Sequence, residues 1–267
     1  MVEPKCPGVV ERYIDLSGFY DRSGLQPLKQ DILDATAEYQ GHYKRVYRCL
    51  GAAGELRRDM NELLDGERVQ QRLAKRAAGI ISRELKRPAQ GEGRNHQRFL
   101  SAVTHKGAFT LWDTVSARAD RVYELADNYG LAHHLLNPIL TAALAAGHDA
   151  VACPDPMAPA RLAHLIFPGL SLAFVTSTQE DPWPHHAYRR LRLDAMADAE
   201  AYRLNRPRLR FTKRVSSALL EEGVSGLSQA KEAHDRLERL YNPYVDFDGV
   251  AETADRLAEQ VLALRDK

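Results

Sequence analysis

The sequence predicts an α/β protein in which a small parallel sheet is flanked on both sides by long α-helical hairpins. Two observations carry that reading. Apolar residues recur at three- and four-residue steps from Leu25 to Ile81 and again from Leu219 to Leu262, the spacing of helix faces. Between them, short apolar runs of β type alternate with a helix-forming segment, the pattern of buried strands in a helix-covered parallel sheet. A chain of 267 residues that is 44% hydrophobic can bury such a core.

The first helical stripe runs through Leu25, Leu28, Ile32, Tyr39, Tyr43, Val46, Tyr47 and Leu50, with Ser23 as its expected N-cap. A second stripe, from Leu56 through Met60, Leu63, Leu64, Val69, Leu73, Ala77 and Ile80, carries helix to about Arg83, and the Pro/Gly-rich segment 88–95 reads as a linker. Phe109–Trp112, Arg121–Ala126, Asp149–Cys153 and Leu170–Val175 are the expected strands. The loop Asp127–Gly130 and an Ala/Leu-rich helix ending at Gly147, a C-cap residue, follow the second of them. From about Ala187 the pattern returns to helix, with Leu219, Leu220, Val224, Leu227, Leu237, Leu240 and Tyr241 on one stripe and Val250, Leu257, Val261 and Leu262 on the last.

Charge and cysteine content narrow the function classes. Thirty-seven basic and 36 acidic residues leave a net charge of +1, so no whole-protein field favours nucleic acid or an anionic membrane. Cys6, Cys49 and Cys153 are too scattered for a disulfide framework or a zinc site. The N-terminus has no apolar signal region and no segment has the length of an apolar span, so the expectation is a soluble cytoplasmic protein.

The two helical regions align with each other. YRCLGAAGELRRDMNELL (47–64) set on VSGLSQAKEAHDRLERLY (224–241) pairs Leu50 with Leu227, Met60 with Leu237 and Leu63 with Leu240. After an insertion, 65–81 matches 248–262, and both stretches begin with Asp-Gly. Any two amphipathic helices align at heptad spacing, but the shared Asp-Gly step favours a duplication in which the chain opens with the helical tail of a repeat whose core is missing.

Four stretches, PGVVERYIDLSGFYDRSGLQPLKQDI (7–32), RFLSAVTHKGAFTLWDT (98–114), RVYELADNYGLAHHLL (121–136) and FPGLSLAFVTST (167–178), resemble a family of bacterial P-loop ATPases built from two tandem repeats of core plus helical hairpin. The resemblance implies a helical hairpin over 1–87, a P-loop NTPase-like core over 96–186 and the second repeat's hairpin over 187–267. It places the nucleotide loop at Asp127, Asn128, Tyr129, Gly130, Leu131, Ala132, His133 and His134. In active relatives this loop ends in Gly-Lys-Ser or Gly-Lys-Thr, whose amides cradle phosphate while Lys neutralises it and the hydroxyl holds magnesium. Here Ala132 stands at the Lys position and His133 at the hydroxyl position, with Asp127 adding a negative charge. The acid expected at the end of the 170–175 strand is replaced by Thr176. Loss of both elements predicts no catalytic residues and no ATP hydrolysis.

The leading expectation is therefore a non-hydrolysing regulatory or partner-binding module whose partner is a protein, such as a paralogous subunit with an intact loop. The alternatives are an ATPase completed by another subunit or a separate intact core, and a polyanion binder acting through the basic run Arg189–Arg214. No resident cofactor is expected. Residual ATP or anion binding should be weak, and should strengthen below about pH 6.5 as His133 and His134 protonate. Neither His133–His134 nor His185–His186 has the i, i+4 spacing of a helical metal site, so packing or surface roles are expected and no metal. Asp155, just after a strand, reads as a turn cap or a cleft residue. Pro138 leaves two readings. Either the helix begins near His133, or Asn137 caps it with Pro138 as its first residue.

Overall fold

The structure, a computed structural model, describes Val9, residues 13–85 and residues 91–265. In chain order the helices are α1 (Arg22–Leu25), α2 (Lys29–Leu64), α3 (Glu67–Glu84), α4 (Trp112–Ser116), α5 (Ala132–Ala145), α6 (Ala199–Tyr241) and α7 (Phe247–Arg265). The strands are β1 (Asn95–Gln97), β2 (Ser101–Thr104), β3 (Gly107–Thr110), β4 (Arg121–Ala126), β5 (Ala150–Asp155), β6 (Ala158–Phe167), β7 (Leu172–Ser177) and β8 (Arg189–Arg192). The fold is mixed α/β, and 62% of the described residues are helical.

The expected sheet is present but not purely parallel. Its order is β1-β5-β6-β7-β4-β8, with β1–β5, β7–β4 and β4–β8 parallel. β6 runs antiparallel to both neighbours, forming a hairpin with β5 across a Pro154–Asp155 irregularity. The sequence ARLAHLIF (160–167) gives no clear strand signal because Arg161 and His164 interrupt its apolar run. β8 likewise lies in a segment expected to be helix: its Arg-Arg-Leu-Arg sequence pairs only on the β4 side and buries Leu191 alone. The strand expected at 109–112 is instead the end of the β2–β3 hairpin, a separate two-stranded sheet, and Trp112 begins α4.

Alternation along the strands builds two cores. In β7, Leu172 and Phe174 join Tyr123, Leu125, Leu165 and Phe167 against α3 and α5, whereas Ala173 and Val175 join Val122, Ile166, Val115 and Trp183 on the opposite face. This is the period-2 signature of a strand covered on both sides. Fully buried Leu135, Leu136, Ile139 and Phe174 each contribute about 1.5–3 kcal/mol. Glu84 at the end of α3 fixes that helix to β4, accepting hydrogen bonds from Arg121 at 2.5 Å and from the Tyr123 hydroxyl at 2.6 Å.

α5 starts at Ala132, so Asn137 is not its cap and Pro138 lies inside it. Pro138 has no N–H for the His134 carbonyl one turn back. Both Asn137 and Pro138 are exposed, on the face of α5 away from its buried Leu135, Leu136 and Ile139. Gly147 closes the helix at φ +84°, a conformation glycine adopts without strain.

The chain groups into two compact units, residues 42–228 and residues 1–41 with 229–267. In the larger, Gly223 and Gly226 of α6 lie against Leu50 and Val46 of α2, and a Cβ at Gly226 would come within 2.8 Å of Val46. In the smaller, Asp21 rather than Ser23 caps α1, because its carboxylate accepts from the Ser23 and Gly24 amides. An antiparallel bridge joins Tyr20 to Val245 there, and Arg236 pairs with Glu38. α2 ends at Leu64 and α6 at Tyr241, positions that the internal alignment pairs. Asp65-Gly66 separates α2 from α3, whereas Asp248-Gly249 lies in the first turn of α7. Cys6 and residues 88–90 of the expected linker fall outside the described residues. Among those described, no helix is long and apolar enough to cross a membrane.

Candidate functional site

The site gathers at the carboxyl ends of β4 and β7, the edge of a parallel sheet where loops carry function. The register Leu125↔Thr176 and Ala126↔Ser177 places Thr176 beside the strand that enters the 127–134 loop. A cavity of about 300 Å³ opens there, within the 42–228 unit. Its walls include Asp127–Gly130, Ala132 and His133 of the loop, Thr176 and Thr178 after β7, Asp155 and Arg161 around the β5–β6 turn, Arg57 of α2, and Thr212, Lys213 and Ser216 of α6.

Gly130 makes the loop turn at φ +75°. The Asn128, Tyr129 and Ala132 amides of the loop each donate to a carboxylate of the protein itself. The buried Asp127 carboxylate accepts from the Tyr129 amide at 3.1 Å and the Ala132 amide at 2.7 Å. Burial raises its pKa to about 6 against the opposing pull of the Leu131, Ala132 and Tyr129 amides, and the Asp194 carboxylate adds to the rise. Asn128 donates through its backbone and side-chain nitrogens to Asp194, at 2.8 and 2.6 Å. Asn61 of α2 donates to the Tyr129 and Gly130 carbonyls. Amides at a strand–loop–helix junction can bind an external anion; here Asp127 is an internal one.

Thr176 is held by β6. Its hydroxyl donates to the Ala163 carbonyl at 2.5 Å, and its amide donates to His164 Nδ1 at 3.2 Å. The second contact fixes the His164 tautomer, because an Nδ1 that accepts must leave the proton on Nε2. Nε2 then donates to Ser101 Oγ at 3.0 Å, Ser101 to Thr110 at 2.9 Å, and Thr110 to Asp181 at 2.5 Å. Burial drives the His164 pKa down to about 3. His164 is thus a neutral donor to Ser101 and cannot take its proton, so this pair does not form a nucleophile with its base. Asp181 also accepts from Trp112 Nε1 at 3.1 Å, tying the β2–β3 hairpin and α4 to the segment after β7.

His133 does not behave as expected of a switch at pH 6.5. Burial, the adjacent His134 and the Arg161 guanidinium lower its pKa to about 4, so it stays neutral at pH 6 and adds no charge for an anion. His134 is engaged by Asp65 at 2.5 Å. Asp155 satisfies both of its readings, since it accepts from the Met157 amide at 2.8 Å and lines the cavity. His185 and His186 are exposed, and the His185 ring packs edge-on against Trp183. In the basic run, Arg190 pairs with Glu124 and Lys213 with Glu180, while Arg189 lies over Tyr188. Burial raises the Cys153 thiol to about 11, which leaves it a poor nucleophile.

Asp65, Asn61, Arg161, His164, Asp181 and Asp194 reach the site from elements distant in sequence, and no short spacing announced them. Asp65 was legible only as half of an Asp-Gly helix break. No family model, curated protein or solved structure matches the chain.

Proposed function

We propose that the chain carries a P-loop NTPase-like core that neither cradles nor hydrolyses nucleotide and works as a regulatory or partner-binding module. The observation that carries this reading is the Asp127 carboxylate seated on the Tyr129 and Ala132 amides. A phosphate entering the loop must displace a carboxylate that is already hydrogen-bonded, and does so beside Asp194 without a loop lysine. Ala132 offers no charge at the lysine position, and His133 is neutral above about pH 4. Thr176 supplies no carboxylate for magnesium and spends its hydroxyl on β6. Support for the P-loop ancestry is the strand–glycine turn–helix order of β4, Gly130 and α5, with β7 parallel and adjacent to β4.

The test is magnesium-dependent phosphate release from ATP by the purified full chain, which should stay at background. Turnover near one per second that disappears in Gly130→Val would overturn the proposal. A protein partner is sought by co-purification with a paralogous chain bearing an intact Gly-Lys-Ser or Gly-Lys-Thr loop. Restored hydrolysis in that mixture, lost on mutating this chain's 127–134 loop, would favour the composite ATPase instead.

A further inference from the structure

We propose that Asp65, His133 and His134 form a binding site for a divalent transition-metal ion of the zinc type. The potential ligand atoms of the three side chains lie within 4.8 Å of one another. His133 and His134 open α5, and Asp65 comes from the break between α2 and α3, 68 residues earlier than the first of them. Helical spacing therefore could not reveal the cluster.

Three features separate it from a chance gathering of polar side chains. Asp65 Oδ2 engages His134 Nε2 at 2.5 Å, but Asp65 Oδ1 is buried and has no hydrogen-bond partner. A buried carboxylate oxygen without a partner is costly, and a cation is the ligand that would satisfy it. His133 Nδ1 stands 2.9 Å from the Gly130 carbonyl. When Nδ1–H donates to that oxygen, Nε2 carries the lone pair, the arrangement by which a backbone carbonyl orients a metal-binding imidazole. The two rings lie with centroids 3.9 Å apart, tilted by 39°, so both imidazoles are already side by side.

Two imidazoles, which are borderline donors, make the set suit zinc, nickel or cobalt better than magnesium or calcium. Three protein ligands leave at least one position for water or another small ligand, as in catalytic zinc sites. The Arg161 guanidinium repels a cation here, as it opposes protonation of His133. Affinity on the order of micromolar is therefore expected, rather than the tight binding of a four-ligand structural site.

The test is titration of the chelator-treated full chain with zinc chloride in competition with a chromophoric chelator. One equivalent should bind per chain, and Asp65→Asn and His133→Gln should each weaken it by about tenfold or more. His234→Ala should leave binding unchanged, which separates the site from the His234, Asp235 and Glu238 group. Cobalt(II) added to the unmodified chain gives a readout that needs no variant: visible d–d bands of low coordination number are expected. No zinc binding at 100-fold excess over the chain, no cobalt bands, or binding unchanged in Asp65→Asn/His133→Gln would each overturn the proposal.

Discussion

Replacing Asp127 with Asn should change how stability depends on pH, and the sign follows from the burial of its carboxylate. Asp127 is held at a pKa of about 6 in the folded chain, against 3.8 for a free side chain. A shift of about two units corresponds to about 3 kcal/mol between the two protonation states. Because the folded value is raised, the native state binds the proton that the unfolded chain has released between about pH 4 and 6. The group's contribution is thus fully present below pH 4 and lost as pH rises through 6. His133 and His164, with lowered folded values, push the other way, since protonation in the unfolded chain alone costs stability as pH falls. Both chains carry these histidines, so the difference between wild type and Asp127→Asn isolates Asp127. Urea unfolding followed by the fluorescence of Trp112 and Trp183 should give a wild-type advantage that falls by about 3 kcal/mol from pH 4 to 7 and is flat above it. An advantage that grows with pH would show that the amide hydrogen bonds outweigh burial and that the carboxyl is depressed, refuting the reasoning.

Two further outcomes follow from the same site. Gly130→Ala should cost about 1–2 kcal/mol in denaturant unfolding, through backbone strain at φ +75° and not through a clash, because the nearest atoms to the new Cβ stand 3.8 Å away; a neutral substitution would mean the turn is not left-handed. Asp181→Ala should cost about 1–3 kcal/mol and shift tryptophan emission to the red, because Thr110 and Trp112 lose their shared acceptor; an unchanged spectrum would place Trp112 outside that network.

The strands β4, β5 and β7 and the helix α5 were legible because burial on both faces leaves short, mostly apolar runs. RVYELA was legible to the residue, and Gly147 marked its helix end. β6 was not, because Arg161 and His164 face a cavity and so break the pattern that identifies a core strand. β8 was not, because an edge strand is held by backbone pairing to β4 and needs almost no apolar side chain. That Ala132 and Thr176 stand where a lysine and an acid would be expected followed only from the resemblance to P-loop ATPases. What replaced them was illegible, since the roles of Asp127, Asn128 and Thr176 depend on Asp194, Asn61 and β6, which only the fold brings near. Tertiary context also reversed one expectation, for the spacing of His133 and His134 gives no hint that burial and Arg161 hold His133 neutral.

The proposal that Asp127 occupies the amides of the 127–134 loop is tested most directly by calorimetric titration of the full chain with magnesium-ATP at pH 8, where Asp127 is ionised. The account predicts no binding tighter than about millimolar in the wild-type chain. Micromolar affinity, abolished by Gly130→Val, would show that the amides of residues 129–132 remain open to phosphate, and would contradict it.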